Sequence, residues 1–302
     1  MKYLLRKDVI DQVPEIPISE ANYAACQEAR QVLLEGFAVE EKYEVLISSY
    51  LAFEKQILNA SASNMVRDYV DYYDFFEVRL GLNICMIDLL TSARMYVDQL
   101  GRHVRGCLSG GDDAEGAVKA LFSAEYEAHT EYRLMEALRN HVQHHGLPVH
   151  DLSSGSHWTS LEADGLLEFS LEVAVVRSFL AENDKFNATV LAEMPRRVDL
   201  KAATRRYLDS LSTVQASVRS LIKGSMDQAR RTLEDAHRRY GEVYKESLVG
   251  LSACKCDDEK CTETVPLLLD WDDIRIKLQK KNSRLINLAK RYVSGKSCDE
   301  KP

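Results

Sequence analysis

The sequence predicts a mainly α protein, a helical bundle with one small β-hairpin inserted between its helices. Apolar residues recur every three or four positions over long stretches, and the 302 residues include only 14 Gly and 6 Pro, which favours helices. In one short segment apolar and polar residues alternate instead, which favours the hairpin. With 45% hydrophobic residues, the chain is long enough to bury a substantial core.

The first third of the chain is expected to form three helices. Ser19 can cap a helix through about Gly36, and a second helix follows over about residues 40–58. The clearest helix covers about residues 63–103. One apolar stripe follows its length: Val66, Val70, Tyr73, Phe76, Leu80, Ile84, Ile87, Leu90, Ala93, Val97 and Leu100. We expect this helix to form the centre of the core.

The middle of the chain combines helices with the hairpin. Asp112 or Asp113 can cap a helix that continues from about residue 114 until Gly146 and Pro148 stop it. Residues 158–161 and 166–176 are predicted to pair as a hairpin around Asp164-Gly165, although the second segment also fits helical spacing. Residues 200–248 are again expected to be helical.

Charge is distributed unevenly along the chain. Acidic residues outnumber basic ones 47 to 39, for a net charge of −8, which argues against a generally cationic nucleic-acid-binding surface. Residues 274–296, however, contain eight cations and no acid, and their spacing predicts a basic amphipathic helix packed on the body. Four of its cations are candidates for binding RNA: Arg275, Lys277, Lys281 and Arg284. The alternative is an ordinary solvated face.

The seven cysteines are scattered, which is typical of reduced thiols in a cytoplasmic protein. Cys254, Cys256 and Cys261 lie close together without a nearby fourth zinc ligand, so an exposed acidic loop is expected there. No stretch has the 18 or more uncharged apolar residues typical of a membrane span. We therefore expect two regions: a bundle over 19–249 with the hairpin near 157–177, and a cysteine-containing loop with the basic helix over 250–302.

Residues 138–150 concentrate ionisable groups at a helix end and form the candidate site. Asn140 and His144 share a helix face, whereas Arg139 lies about 140° from His144. A second copy of the helix, arriving across a twofold axis, could complete a site with two histidines and two arginines. Such a site suits RNA cleavage: one neutral imidazole accepts the 2′-hydroxyl proton, an imidazolium protonates the leaving oxygen, and a guanidinium stabilises charge on phosphorus. No metal or other cofactor is expected.

Arg139, the polar Asn140, three further residues and His144 resemble the defining motif of the HEPN superfamily. The resemblance implies an α-helical bundle that dimerises to bring two motifs together, and a metal-independent endoribonuclease from a toxin–antitoxin, phage-defence or RNA-processing system. By this resemblance Arg139 and His144 are catalytic and Asn140 orients or polarises the site. In one HEPN branch a regulatory tyrosine follows the motif histidine by two positions, but Gly146 stands there in this chain.

Several alternatives remain open at the site. His145 could replace His144 as the motif histidine, and His141 or Arg94 could support the site. A different class of function is a noncatalytic helical module that dimerises and binds RNA, a nucleotide or a protein partner, such as an antitoxin. A third is a metal-binding bundle that uses His141 and His145, whose i, i+4 spacing suits one ion but lacks an obvious third ligand. No membrane partner is expected.

Overall fold

A computed structural model describes residues 1–7, 14–67, 69, 71–108, 113–162, 165–245, 247–257 and 260–293. Val70, Asp112, Asp164 and residues 294–302 (with Cys298), which figured in the predictions, lie outside these ranges. Within them the protein is mainly helical, as predicted, with two small antiparallel sheets. The helices are α1 (Glu20–Arg67), α2 (Tyr72–Cys107), α3 (Ala114–Ala128), α4 (Thr130–His144), α5 (Arg177–Ala181), α6 (Ala188–Glu193), α7 (Leu200–Val243) and α8 (Asp270–Lys281). The strands are β1 (Lys2–Lys7), β2 (Ile16–Pro17), β3 (Asp151–Trp158), β4 (Leu167–Val176), β5 (Arg197–Asp199), β6 (Leu251–Asp257) and β7 (Lys260–Pro266).

The chain divides into two compact units. Unit 1 comprises Met1–Glu44, Tyr96–Leu121 and Gln215–Ser283, and it contains α8 and the sheet with strand order β2-β1-β6-β7. Unit 2 comprises Val45–Met95, Phe122–Val214 and Arg284–Pro302, and it contains α4 and the sheet with strand order β3-β4-β5. The candidate site on α4 therefore belongs to unit 2.

Helix α1 is continuous, so the prediction of two helices separated after Gly36 is wrong. A Cβ atom at position 36 would collide with the Met226 side chain on α7, and the glycine therefore permits close packing between the helices. Ser19 caps α1 as predicted, since its Oγ accepts a hydrogen bond from the Asn22 N–H at 3.1 Å.

Helix α2 begins at Tyr72, later than the predicted start at 63, and residues 63–67 belong to α1. Asp71 explains the start: its carboxylate accepts the Asp74 N–H at 2.9 Å, and that of Asp74 accepts the Asp71 N–H at 3.5 Å. By length and composition α2 could cross a membrane, with a mean hydropathy of 1.2 over its most apolar window. Packing accounts for part of that apolarity, since Leu82 and Met86 are fully buried in the protein.

The single helix predicted from 114 to 146 is two helices, α3 and α4. His129 interrupts them with an extended backbone, at φ −129° and ψ 116°. The predicted stop is confirmed: α4 ends at His144, immediately before His145 and Gly146. The helix predicted over about 200–248 is present as α7, but it ends earlier than predicted, at Val243.

The predicted hairpin is present, but its first strand lies earlier than expected. β3 pairs with β4 in antiparallel register from Asp151 opposite Ala174 to Trp158 opposite Leu167, and a short third strand, β5, pairs with the other edge of β4. Residues 159–161, predicted to belong to the first strand, lie after its end. The helical alternative for 166–176 is excluded.

The second sheet, in unit 1, was not predicted. β6 lies between β1 and β7; it contains Cys254 and Cys256, and β7 contains Cys261. The three cysteines therefore lie in strands rather than in the expected exposed acidic loop, of which Asp258 and Glu259 lie outside the described residues. Cys256 and Cys261 face each other across β6 and β7 and form a disulfide. The expectation that all cysteines are reduced thiols is therefore also wrong in this structure.

The basic helix predicted over 274–296 is wrong beyond Lys281, where α8 ends. The Asn282 carbonyl accepts a hydrogen bond from Arg219 Nη1 at 2.7 Å, and the Asn282 side chain donates to Glu44. These contacts hold Asn282 in a nonhelical conformation, with φ −103° and ψ 64°. A single 3-10 turn follows at Leu288–Lys290.

Candidate functional site

Helix α4 separates the candidate residues into a buried and an exposed set. The residues that pack into unit 2 are Tyr132, Leu134, Met135, Ala137, Leu138 and His141. Asn140 and His144 are exposed on the opposite side, and Arg139 is half-buried between the two sides. The last turn closes with the N–H groups of His145 and Gly146 on the His141 carbonyl, at 2.8 and 3.2 Å. His144 is thus presented to solvent at the carboxyl end of the helix.

Arg139 is held along α4 by its own helix. Its Nη1 donates to Gln143 Oε1 at 3.0 Å, while its Nε is buried without a hydrogen-bond partner. Tyr207 lies close by and donates its phenolic proton to the Glu136 carboxylate at 2.6 Å. Burial and the Glu136 charge raise the pKa of Tyr207, and the Arg139 charge opposes that rise. The guanidinium therefore lies beside a buried aromatic and acidic group.

Arg94, on α2, lies near the same group. Its charge opposes the rise in the pKa of Tyr132 that burial and Glu136 produce. The Tyr132 ring meets the Tyr207 ring edge to face, with centroids 4.9 Å apart. Two guanidinium groups from different helices, Arg94 and Arg139, thus act on one tyrosine pair. Sequence periodicity could not have identified this arrangement, because its residues come from three different helices, α2, α4 and α7.

His141 belongs to the interior, unlike His144. It is only 3% exposed, and its Nδ1 lies 3.1 Å from Asn183 Nδ2. Because an amide NH2 group can only donate, Nδ1 accepts and the ring proton belongs on Nε2. Burial, and then the charges of His145 and His150, lower the pKa of His141 to about 4. His141 is therefore neutral near pH 7 and has no proton to donate there as an acid.

Further rings surround His141, and of these only His145 was predicted, from its i, i+4 spacing. The His145, Phe186 and His150 rings lie 5.1, 6.0 and 6.1 Å from it. His150 accepts the Val176 N–H on Nδ1 at 3.2 Å, and burial lowers its pKa. The i, i+4 contact between His141 and His145 agrees with the predicted shared face. Among the described residues, no group of three or more His, Cys, Asp or Glu side chains could hold a metal ion, so the alternative metal site lacks a third ligand.

The four cations predicted to bind RNA do not share one helix face. Arg275 is buried, and its Nε and Nη2 donate to the two Asp272 carboxylate oxygens at 2.5 and 3.1 Å. Lys281 pairs with Glu44, whereas Lys277 is exposed. Arg284 is exposed but follows the end of α8 and belongs to unit 2. In this structure Arg275 is occupied by Asp272 and is not available to a phosphate.

Comparisons of the chain with protein-family models, with curated proteins and with solved structures found no match.

Proposed function

We propose that this protein is a metal-independent endoribonuclease of the HEPN type, in which Arg139, Asn140 and His144 act at the carboxyl end of α4. The observation that carries the proposal is the separation of the histidines: His144 is exposed beside Asn140, whereas His141 is buried and neutral. A proton-transfer group must reach its substrate and must change charge near neutral pH. Exposed His144 meets the first requirement.

In the proposed reaction, a neutral imidazole removes the proton from a ribose 2′-hydroxyl, and the 2′-oxygen attacks the adjacent phosphorus. The bond from phosphorus to the 5′-oxygen breaks, and an imidazolium protonates that oxygen as it leaves. The products are a 2′,3′-cyclic phosphate and a 5′-hydroxyl. The guanidinium of Arg139 stabilises the extra negative charge on the phosphoryl oxygens.

The proposal requires a second copy of the chain. Arg139 and His144 lie on different sides of α4, and the hydrogen bond of Arg139 goes to Gln143. One helix supplies a single exposed motif histidine, but the reaction needs one imidazole as base and one as acid. A twofold axis beside the end of α4 supplies the second histidine and a second arginine. Self-association is therefore part of the same proposal, as is control by a partner of the antitoxin class.

The test is cleavage of a fluorescently labelled single-stranded RNA, with EDTA present, by the parent and three variants. His144→Gln is expected to slow cleavage about 10²–10⁴-fold, the usual range for removing general acid–base catalysis. Arg139→Gln is expected to slow it about 10²–10³-fold, the usual range for removing one group that stabilises transition-state charge. His157→Gln, which changes an exposed histidine on β3, is the matched control and should leave the rate unchanged. Products should carry 2′,3′-cyclic phosphate ends. Unchanged cleavage by His144→Gln would assign the activity to another residue or another protein, and His145→Gln then tests the alternative spacing.

One observation favours a second function, a noncatalytic module that binds RNA, a nucleotide or a protein partner. Arg139 is held along α4 by its hydrogen bond to Gln143, which suits a guanidinium fixed in place to bind a phosphate. Under this alternative the protein retains RNA at low salt, releases it at high salt and yields no cyclic phosphate ends. The same RNA assay, read for binding as well as cleavage, separates the two functions.

A further inference from the structure

The unit 1 sheet contains a group of sulfur atoms that the proposed function does not use. Cys254 and Cys256 point to the same face of β6, where they cluster with Leu4, and Cys261 of β7 packs against them. Cys256 and Cys261 are bonded to each other, while Cys254 stays outside the disulfide with its sulfur 3.9 Å from Thr264 Oγ1. Three sulfur atoms from two strands therefore share one small cluster.

The two bonded cysteines differ in their access to solvent. Cys256 is only 4% exposed, and Cys254 only 2%, whereas Cys261 is half-buried. An external thiol or disulfide can approach a sulfur atom only along the line of the bond that it attacks, so access decides which sulfur reacts. Cys261 is the member of the pair that such a reagent can reach.

A positively charged side chain, Arg6, lies next to the Cys261 sulfur. Arg6, on β1, places Nη1 3.6 Å from Cys261 Sγ, and the same nitrogen lies 3.6 Å from Glu15 Oε1. A neighbouring guanidinium favours the thiolate form of a cysteine, which is the form that enters thiol–disulfide exchange. The Glu15 carboxylate opposes this effect of Arg6 on the Cys261 thiolate. Because the Glu15 side chain is 56% exposed, water and salt screen its charge.

We propose that Cys256 and Cys261 form an exchangeable redox site that reacts with small-molecule thiols and disulfides through Cys261. In the reducing direction, an external thiolate bonds to Cys261 Sγ, the bond between Cys261 and Cys256 breaks, and Cys256 leaves as a thiolate that takes a proton from water. A second external thiolate then attacks the mixed disulfide at its external sulfur and releases Cys261. Two thiols are oxidised to one disulfide while the protein disulfide is reduced to two thiols.

The oxidising direction uses the same intermediate. The Cys261 thiolate, stabilised by Arg6, attacks a small-molecule disulfide and releases one thiolate from it. Cys256 loses its proton and attacks Cys261 Sγ, which expels the second small thiolate and closes the bridge. Cys256 is thus the leaving thiolate in the reducing direction and the resolving cysteine in the oxidising direction, and its burial prevents direct attack by an external reagent.

The first experiment is peptide mapping of the full-length protein equilibrated in glutathione buffers of varied oxidation state and then quenched with acid and iodoacetamide. Trypsin cleaves after Lys255 and Lys260, so two separate peptides carry Cys256 and Cys261 and only the bridge joins them. We expect the joined peptides to appear and disappear reversibly across the glutathione series in folded protein, with transient glutathione on Cys261. A bridge that stays closed throughout the series, or opens only when circular dichroism reports unfolding, would overturn the proposal.

Two cysteine variants test which sulfur is the point of entry. With glutathione disulfide, Cys256→Ser should gain one glutathione at Cys261, whereas folded Cys261→Ser should gain none at Cys256. Glutathione on Cys256 of folded Cys261→Ser would show that burial does not direct the exchange. Mapping of the mixed disulfide in the parent protein answers the same question should either variant fail to fold.

The role of Arg6 is tested by the rate at which the mixed disulfide forms on Cys256→Ser. Adding Arg6→Gln should slow this rate by a factor on the order of 2 to 4, because losing the neighbouring cation lowers the thiolate fraction of Cys261 by more than the accompanying gain in nucleophilicity restores. Lys255→Gln is the matched control, since Lys255 is a cation of the same sheet that pairs with Glu263. Equal slowing by both variants, or none by Arg6→Gln, would remove Arg6 from the mechanism.

Discussion

Mild acid is expected to destabilise this protein through His141. Burial, and then the charges of His145 and His150, lower the pKa of His141 from 6.5 to about 4 in the folded state. In the unfolded chain the same imidazole takes up its proton near pH 6.5. Between these two values the unfolded state binds more protons than the folded state. The stability that neutral His141 contributes is therefore complete above pH 6.5 and is lost as the pH falls toward 4.

The size of the effect follows from the width of this window. One pKa unit corresponds to about 1.4 kcal/mol, so the whole window is worth about 3 kcal/mol of unfolding free energy. Urea denaturation, followed by circular dichroism at several pH values across the window, measures it. His141→Gln cannot titrate and should flatten the pH dependence by this amount, whatever its effect on stability at neutral pH. His157→Gln, which changes an exposed histidine, should retain the parent's slope.

The reasoning would be refuted if His141→Gln lost as much stability across the window as the parent. Some slope should remain in the variant, because burial also lowers the pKa of His150 and its effect has the same sign. The difference between parent and variant, rather than the total slope, is therefore the decisive measurement.

Two further predictions concern unit 1. Glu40→Leu should lower the unfolding free energy by about 3–5 kcal/mol, because Arg219 loses the buried carboxylate, 1% exposed, that pairs with it at 2.6 Å. Urea denaturation of the double variant Glu40→Leu/Arg219→Met should show much of this loss recovered. No recovery in the double variant would count against the pairing argument. Reducing the bridge between Cys256 and Cys261 should cost about 2 kcal/mol, the chain-entropy value for so short a loop. A urea midpoint that is the same with and without reductant would contradict this, and Cys256→Ser should be insensitive to reductant.

Local patterns predicted the elements whose signals are local. The apolar stripes of α2 and α7, the cap at Ser19 and the alternation in β4 were all visible in the sequence. The first strand of the hairpin was misplaced because β3 is polar and mostly exposed, so its position is fixed by its register with β4 rather than by an apolar pattern. Gly36 was misread because the Met226 side chain that packs over it lies almost two hundred positions away in the sequence.

The β6 strand was missed for a related reason. Leu251, Ser252, Ala253 and Cys254 are all buried, so both faces of β6 are covered and no alternation marks it as a strand. Its partner β1 comes from the opposite end of the chain, and pairing between such distant segments leaves no local signal.

At the candidate site, periodicity placed Asn140 and His144 together, and likewise His141 and His145. It could not tell that His141 is buried while Asn140, His144 and His145 are exposed, because that depends on Asn183, Phe186 and the other groups that pack against α4. Periodicity also could not predict that Arg94 lies near Tyr132, because the two residues are on different helices. The burial of Arg275 was missed because its partner Asp272 lies just before the acid-free stretch that drew attention.

The pairing of Leu4 with Cys254 has a consequence for synthesis. A ribosome that adds about 5–20 residues per second needs on the order of 10–50 s to make the intervening chain. During that time β1 lacks β6, the strand that completes its backbone hydrogen bonds. Leu4 and Leu5, which are buried in the folded protein, remain exposed to solvent. Nascent polypeptides of this protein therefore carry an unsatisfied, aggregation-prone strand edge until the segment around Cys254 has been made.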